Sequence, residues 1–118
     1  MVPLAFEGLS VYQKAGALAD EIRAEVKAWD RLDGWSAGIQ LIRAADSVAA
    51  NIAEATGRWS SNDQARFYLI ARGSLYEVQQ WLIRATARGL PLPNEARTRA
   101  DEIGRMINGL IRSTQTRT

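Results

Sequence analysis

The chain has 118 residues, of which 47% are hydrophobic and 24% charged, and its formal net charge is +2, values typical of one globular domain without strong electrostatic steering. It contains no His and no Cys, which excludes imidazole and thiolate catalysis and the usual zinc and iron–sulfur ligands, so we expect neither an enzyme nor a bound cofactor or metal. No apolar run approaches the roughly 20 residues of a membrane span, and the N-terminus lacks the pattern of a secretion signal, so we expect a cytoplasmic protein without membrane contact.

Apolar residues that recur at steps of three and four residues predict four helices. The first is expected over residues 10–29, and the polar segment 30–34 ends it. The second is expected over residues 36–56 and ends before Gly57, the residue type that favours helix termination. We expect Trp35 to lie in the core of the bundle.

The third helix is expected over residues 63–88 and is the most apolar of the four around its circumference. One stripe passes through Phe67 and Trp81, and we expect Trp81 to be buried. A second stripe carries Leu75 and Leu82. Since a helix with two apolar sides buries both, this second stripe predicts association between copies of the chain.

The fourth helix is expected over residues 94–113, with Glu95 in its first turn, where the helix dipole favours an acid. No strand-like alternation or internal repeat is evident. Four helices joined by short turns predict an all-α fold, an antiparallel up-down-up-down four-helix bundle that forms a single domain over residues 1–118.

Polar residues interrupt the apolar faces of the second and third helices at helical spacing. They are Arg43, Asn51 and Glu54 in the second helix and Arg72, Ser74 and Glu77 in the third. A buried polar group costs a few kcal/mol unless it is paired, so these groups need partners. One interpretation is a structural network in which Arg43 or Arg72 meets a carboxylate of the other helix, Glu54 or Glu77, with Asn51 and Ser74 completing it. The other is a contact site for a ligand or nucleic acid at one end of the bundle.

Arginine dominates the basic residues, and its planar fork suits carboxylate or phosphate. Residues 1–42 carry four basic residues against six acidic ones, whereas residues 43–118 carry eleven against seven. The candidates for nucleic-acid or partner contact are Arg43, Arg58, Arg66 and Arg72. Trp59 follows Arg58 in a polar turn, so we expect it to be exposed and available to a neighbouring subunit or a base. The alternative is that these arginines are solvated or paired, as Glu54 and Arg58 would be at a spacing of four.

Short motifs spread over nearly the whole chain carry a family resemblance. The sequence resembles the four-helix-bundle family encoded in intervening sequences of bacterial 23S ribosomal RNA genes, which includes the accessory proteins of diversity-generating retroelements. The matching residues are Phe6-Glu7-Gly8-Leu9, Val11-Tyr12-Gln13-Lys14-Ala15, Gln40, Arg43-Ala44-Ala45, Ser47-Val48, Asn51-Ile52-Ala53-Glu54, Gly57-Arg58, Phe67, Ala71-Arg72-Gly73-Ser74-Leu75 and Glu77.

The resemblance implies a four-helix bundle that assembles as a homopentameric barrel with a central channel. For the retroelement members it implies a nucleic-acid-binding partner of a reverse transcriptase. We therefore expect a non-enzymatic homo-oligomer that binds RNA, DNA or a nucleic-acid-handling protein through an Arg-rich surface. The alternative is a structural scaffold or protein-interaction module without nucleic-acid binding.

Overall fold

Four long helices make up most of the described chain, residues 4–116, in this computed structural model; the outermost residues of the predicted domain, 1–3 and 117–118, lie outside that range. Helix α1 is Ser10–Val26, α2 joins Arg31–Asp33, a π-helical stretch Gly34–Gly38 and Ile39–Thr56, α3 is Ser61–Ala87, and α4 is Ala96–Thr116. A 3-10 turn, Ala5–Gly8, precedes α1. Each helix packs against the next, and α1 also packs against α4. The predicted antiparallel up-down-up-down four-helix bundle is confirmed.

The core of the bundle receives side chains from all four helices, among them the regular apolar stripes of α1 and α4. The stripe of α1 and the connection after it is buried throughout, at Val11, Ala15, Leu18, Ile22, Val26 and Trp29. The stripe of α4 is buried at Ala96, Ala100, Ile103 and Ile107. Each fully buried Leu or Ile contributes about 1.5–3 kcal/mol relative to exposure, so these stripes and the buried side chains of α2 and α3 together drive folding.

The second helix begins earlier than the sequence indicated. The polar segment 30–34 was expected to separate two helices, but α2 already begins at Arg31 and the break lies between Val26 and Asp30. The reason is a helix cap, since the carboxylate of Asp30 accepts a hydrogen bond from the backbone N–H of Asp33 at 2.9 Å. A carboxylate at this position satisfies an N–H that has no partner within the helix.

The apolar sides of α3 differ from the prediction. Leu75 and Leu82 were expected on a surface for association, but they are only 3% and 0% exposed and belong to the core of the single chain. The apolar side chains that α3 leaves exposed at steps of seven residues are Leu69, Tyr76 and Ile83. The prediction was wrong because α3 packs against both α2 and α4, and periodicity alone does not say which of two stripes faces the neighbours.

The connection between α3 and α4 is fixed at both of its ends. Gly89 adopts a left-handed φ of 70°, and the next backbone N–H, of Leu90, reaches back to the carbonyl of Ala85 at 3.0 Å, which closes α3 as a Schellman motif. Glu95 was expected in the first turn of α4. It instead precedes the helix with a φ of 56°, and α4 begins at Ala96.

Candidate nucleic-acid interface

The four arginines predicted as contact residues lie in three different places. Arg58 and Arg66 lie together where α2 ends and α3 begins. Arg72 lies on α3 and faces α4, since its guanidinium donates to Oδ1 of Asn108 at 3.0 Å. Arg43 lies in the first half of α2, about 16 Å along the helix axis from Glu54 at a rise of ~1.5 Å per residue. A single site built from all four side chains is therefore not formed within one chain.

Arg58 and Arg66 are already paired with carboxylates. Arg58 forms ion pairs with Glu54, as its spacing predicted, and with Asp63 at 3.8 Å, while Arg66 pairs with Asp63 at 3.0 Å. Both guanidinium carbons lie 4.4 Å from the ring centroid of Phe67, one from each arginine. Two arginines opposite two carboxylates give no net charge, so a phosphate must compete with existing ion pairs to bind here.

Trp59 lies beside this cluster and is fully exposed, as expected. Ser60 follows it and caps α3, because its hydroxyl accepts the backbone N–H of Asp63 at 3.1 Å. The cap holds Asp63 in place between the two arginines. At this end of the bundle the charges of the cluster therefore pair with one another and cancel, and the exposed indole of Trp59 lies beside them.

The polar residues in the middle of α2 and α3 satisfy one another. The side-chain amide of Asn51 donates to the carbonyl and hydroxyl oxygens of Ser47, at 2.8 and 3.0 Å. Ser47 and Ser74 join the two helices through their hydroxyls at 2.8 Å. All three side chains are half-buried, and within residues 4–116 no buried side-chain N or O atom lacks a partner. This arrangement fixes the register of α2 against α3.

The expected interhelical ion pairs are absent from residues 4–116. Neither Arg43 nor Arg72 meets a carboxylate of Glu54 or Glu77. Glu54 is exposed at the end of α2 and pairs with Arg58, and Glu77 is exposed. The network that the sequence predicted is therefore held by hydroxyls and amides instead of charges. Asn108, the partner of Arg72, was missed because nothing in the pattern of α4 distinguished it.

A cleft between the end of α1 and the first half of α2 brings Arg43, a predicted contact residue, together with three basic side chains that the sequence analysis overlooked. It has a volume of about 560 Å³ and is lined by Arg23, Lys27, Arg31 and Arg43 among its charged residues, with Asp30 and Asp46 as the acids. The four basic side chains are exposed, and none forms an ion pair within residues 4–116. The cleft thus carries more positive than negative charge, and its cations are free to meet a ligand.

Of the two acids in the cleft, Asp30 is already engaged. The hydrogen bond from the backbone N–H of Asp33 lowers the pKa of Asp30, so its carboxylate is charged and directed at the N-terminus of α2. The pKa of Asp33 is raised, first by its hydrogen bond with the Asp30 carboxylate. Asp46 is exposed. The charge of Asp30 therefore serves the helix and opposes an anionic ligand less than a free carboxylate would.

Two tryptophans border the cleft in different ways. Trp29 is buried and its indole N–H donates to the carbonyl of Pro91 at 2.8 Å, which ties the connection between α1 and α2 to that between α3 and α4. Trp35 is 72% exposed, and within residues 4–116 its indole has no hydrogen-bond partner. The prediction that Trp35 lies in the core is wrong. It stands in the π-helical stretch Gly34–Gly38, where the 3.6-residue period used to assign helix faces does not apply. Trp81 is half-buried against the core.

No three acidic side chains of residues 4–116 come together in a way that would hold a metal ion. None of the helices in this range combines the length and the apolar character needed to cross a membrane.

The comparison with protein families gives one match, and it covers most of the chain. The sequence model of the family described as 23S rRNA-intervening sequence protein matches residues 7–109. The comparison with curated proteins finds no match. Because the family match extends over far more than half of the chain, this chain belongs to the 23S rRNA-intervening sequence protein family, and the resemblance drawn from its motifs is confirmed.

Proposed function

We propose that this member of the 23S rRNA-intervening sequence protein family is a non-enzymatic, homo-oligomeric bundle that binds RNA through the cleft between α1 and α2. The observation that carries the proposal is the convergence of Arg23, Lys27, Arg31 and Arg43 on one cleft without ion-pair partners in residues 4–116. The family name, which refers to 23S rRNA, supports RNA as the nucleic acid.

Unpaired arginines are the groups best suited to this role. A guanidinium presents parallel N–H donors that match a phosphate, and displacing counterions from the nucleic acid supplies most of the non-specific binding energy. Arg58 and Arg66 were predicted as contacts from the sequence, but each must first release a carboxylate. The cleft requires no such exchange, which is why we place the binding surface there.

Self-association is the second part of the proposal. Leu69, Tyr76 and Ile83 form an exposed apolar stripe along α3, and Leu32 is exposed on α2. Such surfaces favour contact between copies of a small protein. A net charge of +2 on one chain is small, whereas an assembly repeats the cleft several times and adds the fields of its subunits. The family resemblance implies a pentamer.

The proposal is tested by comparing two double variants with the same change in net charge. Arg23→Gln with Arg43→Gln removes two cations from the cleft, and Arg58→Gln with Arg66→Gln removes two from the paired cluster. Binding of a labelled structured RNA is measured by fluorescence anisotropy over a series of salt concentrations, and the oligomeric state of each variant is measured by light scattering.

We expect the cleft variant to bind more weakly and to show a log K against log salt slope smaller by roughly 1.4–1.8, since each lost phosphate contact removes about 0.7 in a single strand and about 0.9 in a duplex. The cluster variant should keep the slope of the unsubstituted protein. The reverse pattern would place the interface at Arg58 and Arg66, as the sequence alone suggested. Absence of RNA binding at low salt by the intact oligomer would refute the RNA-binding function.

A second candidate is a structural scaffold or protein-interaction module without nucleic-acid binding. It is favoured by the internal pairing of the cluster at Arg58 and Arg66 and by the self-satisfied network of Ser47, Asn51 and Ser74. It predicts that Ser74→Ala weakens the bundle or its assembly and removes no binding activity. Thermal unfolding and light scattering of this variant, next to its RNA titration, separate the two functions.

A further inference from the structure

We infer that the cleft between α1 and α2 selects single-stranded nucleic acid by stacking an unpaired base on Trp35. The inference rests on the proposed function and deepens it, because it names which form of nucleic acid the cleft accepts. It is argued from the position, exposure and chemistry of Trp35 and from the arrangement of charge around it.

The lining of the cleft is both apolar and charged. Trp35, Ile39 and Ile42 line it from α2, together with cations of both helices. It is an open surface cleft of about 560 Å³, a size comparable with small-molecule sites. A nucleotide likewise has an apolar part and a charged part, since the faces of its base are flat and largely apolar and its phosphate is charged.

Trp35 has no evident structural function that would account for its position. Trp29, on the other side of the cleft, is buried and uses its indole N–H to hold the carbonyl of Pro91. Trp35 is 72% exposed, makes no hydrogen bond within the described part of the chain, and borders a shallow apolar surface shared with Leu32. An exposed indole costs free energy in water unless something covers it.

A duplex cannot use this indole, whereas a single strand can. Bases inside a duplex are covered on both faces by their neighbours, so only an unpaired base can lay its face on an aromatic side chain. Arg23 and Lys27 approach from α1, and Arg31 and Arg43 approach from α2. These cations line the same cleft as the indole, so they are available to pair with the phosphates next to one stacked base.

The charge complementarity favours a polyanion over a protein occupant. An apolar partner helix would cover Leu32 and Trp35 but would leave four unpaired cations beside the contact, and burying unpaired charge is costly. A strand of nucleic acid satisfies the indole and the cations together. A second copy of this chain remains the competing occupant, and the oligomeric state of each variant tests it.

The test uses the full chain and four labelled probes: a single-stranded RNA, the same strand annealed to its complement, the single-stranded DNA of the same sequence, and inorganic polyphosphate. Affinities are measured by anisotropy, or by competition for polyphosphate, for the unsubstituted protein and for Trp35→Ala, Trp35→Phe and Trp59→Ala. Trp59 provides the comparison because it is a fully exposed tryptophan that does not line the cleft. Light scattering is recorded for every variant.

We expect Trp35→Ala to weaken binding of both single strands about tenfold, the loss typical of one stacked base, and to leave the duplex and polyphosphate affinities within about twofold. Trp35→Phe should retain most of the single-strand affinity, because its ring still stacks. Trp59→Ala should bind as the unsubstituted protein does. A preference for RNA over DNA would indicate that the cleft also contacts the 2′-hydroxyl.

Three results would overturn the inference, and they differ from those that refute RNA binding in general. Equal affinity for single strand and duplex, with the dependence on Arg23 and Arg43 retained, would leave the proposed function standing and remove base stacking. A loss at Trp59→Ala in place of Trp35→Ala would move the stacking residue to the other end of the bundle. Dissociation of the oligomer by Trp35→Ala would make Trp35 a subunit contact. If the protein bound none of the four probes, the proposed function would fail as well.

Discussion

Replacing Gly38 by Ala tests how closely α1 and α2 must approach to form the cleft. Gly38 is buried in the π-helical stretch of α2. A Cβ built at this position would lie 2.6 Å from Cγ1 of Val26, 3.2 Å from the carbonyl oxygen of Asp33 and 3.4 Å from Cε3 of Trp29. Val26 is β-branched and buried, and the Asp33 oxygen belongs to the backbone, so neither neighbour can move aside cheaply.

The magnitude follows from two opposing terms. Overpacking a buried position costs typically about 1–3 kcal/mol, whereas Ala is about 1 kcal/mol better than Gly within a helix. We therefore expect Gly38→Ala to lower the free energy of unfolding by ~1 kcal/mol and the melting temperature by roughly 4 °C. Gly16→Ala is the matched control, because a Cβ at Gly16 would have no neighbour within 4 Å. That variant should be more stable by ~0.5–1 kcal/mol.

Chemical denaturation followed by circular dichroism measures both variants, and a double-mutant cycle identifies the clash. In a Val26→Ala background the Cγ1 atom is gone and the 3.2 Å approach to the Asp33 oxygen remains, so the cost of Gly38→Ala should become smaller. The reasoning is refuted if Gly38→Ala is as stable as Gly16→Ala, or if its cost is unchanged in the Val26→Ala background. Either result would mean that α1 and α2 have room to move apart without loss of packing.

Two further predictions concern the start of α4 and the connection that precedes it. The hydrogen bond from Arg99 lowers the pKa of Glu21 below its ordinary 4.5, so the stabilisation from this pair is complete above that pH and is lost as the pH falls through the lower pKa of the folded state. Because Glu21 is about half exposed, we expect this stabilisation to be only ~0.5 kcal/mol. Glu21→Gln should therefore lose less stability between pH 5 and pH 3 than the unsubstituted protein, and equal losses in the two proteins would contradict the prediction. Glu95→Gly should stabilise the protein by ~0.5 kcal/mol because glycine adopts the left-handed φ of 56° without strain, whereas Gly89→Ala, at a φ of 70°, should destabilise it by about 1 kcal/mol. Thermal unfolding measures whether the two changes in stability have opposite signs. A destabilised Glu95→Gly would show that contacts of the Glu95 side chain outweigh its backbone strain.

The sequence predicted the architecture because the helices at the two ends of the chain each have one apolar stripe. In α1 and α4 the residues at steps of three and four are the ones that become buried, so periodicity identifies their core faces directly. The assignment failed in α3, whose apolar residues occupy two sides. Leu75 and Leu82 then fit either a core or a surface, and only the positions of α2 and α4 decide between them.

The candidate site was harder to predict than the fold, for two physical reasons. Counting charge along the chain assigned the basic character to residues 43–118, whereas three of the four cleft cations lie in the more acidic part, residues 1–42. Arg23 and Lys27 are four residues apart and share a helix face, which is the signal that was available. The exposed position of Trp35 could not be predicted from the sequence, because Trp35 lies in a π-helical stretch and the prediction assumed a regular period of 3.6 residues.

Ion pairing, more than the number of arginines, decides which surface of this bundle can take up an anion. At the end of the bundle near Trp59, Arg58 and Arg66 face Glu54 and Asp63, and the fold gains from that pairing whether or not a ligand is present. Four cations line the cleft with two acids, one of which caps α2, and none of the four forms an ion pair within residues 4–116. Under the proposed function, a phosphate supplies the partner that these cations lack within the described chain. The same reasoning gives Trp35 its weight, because an exposed indole alone is a common surface feature, whereas this one lines a cleft with four cations outside any ion pair of residues 4–116, as the proposed stacking requires.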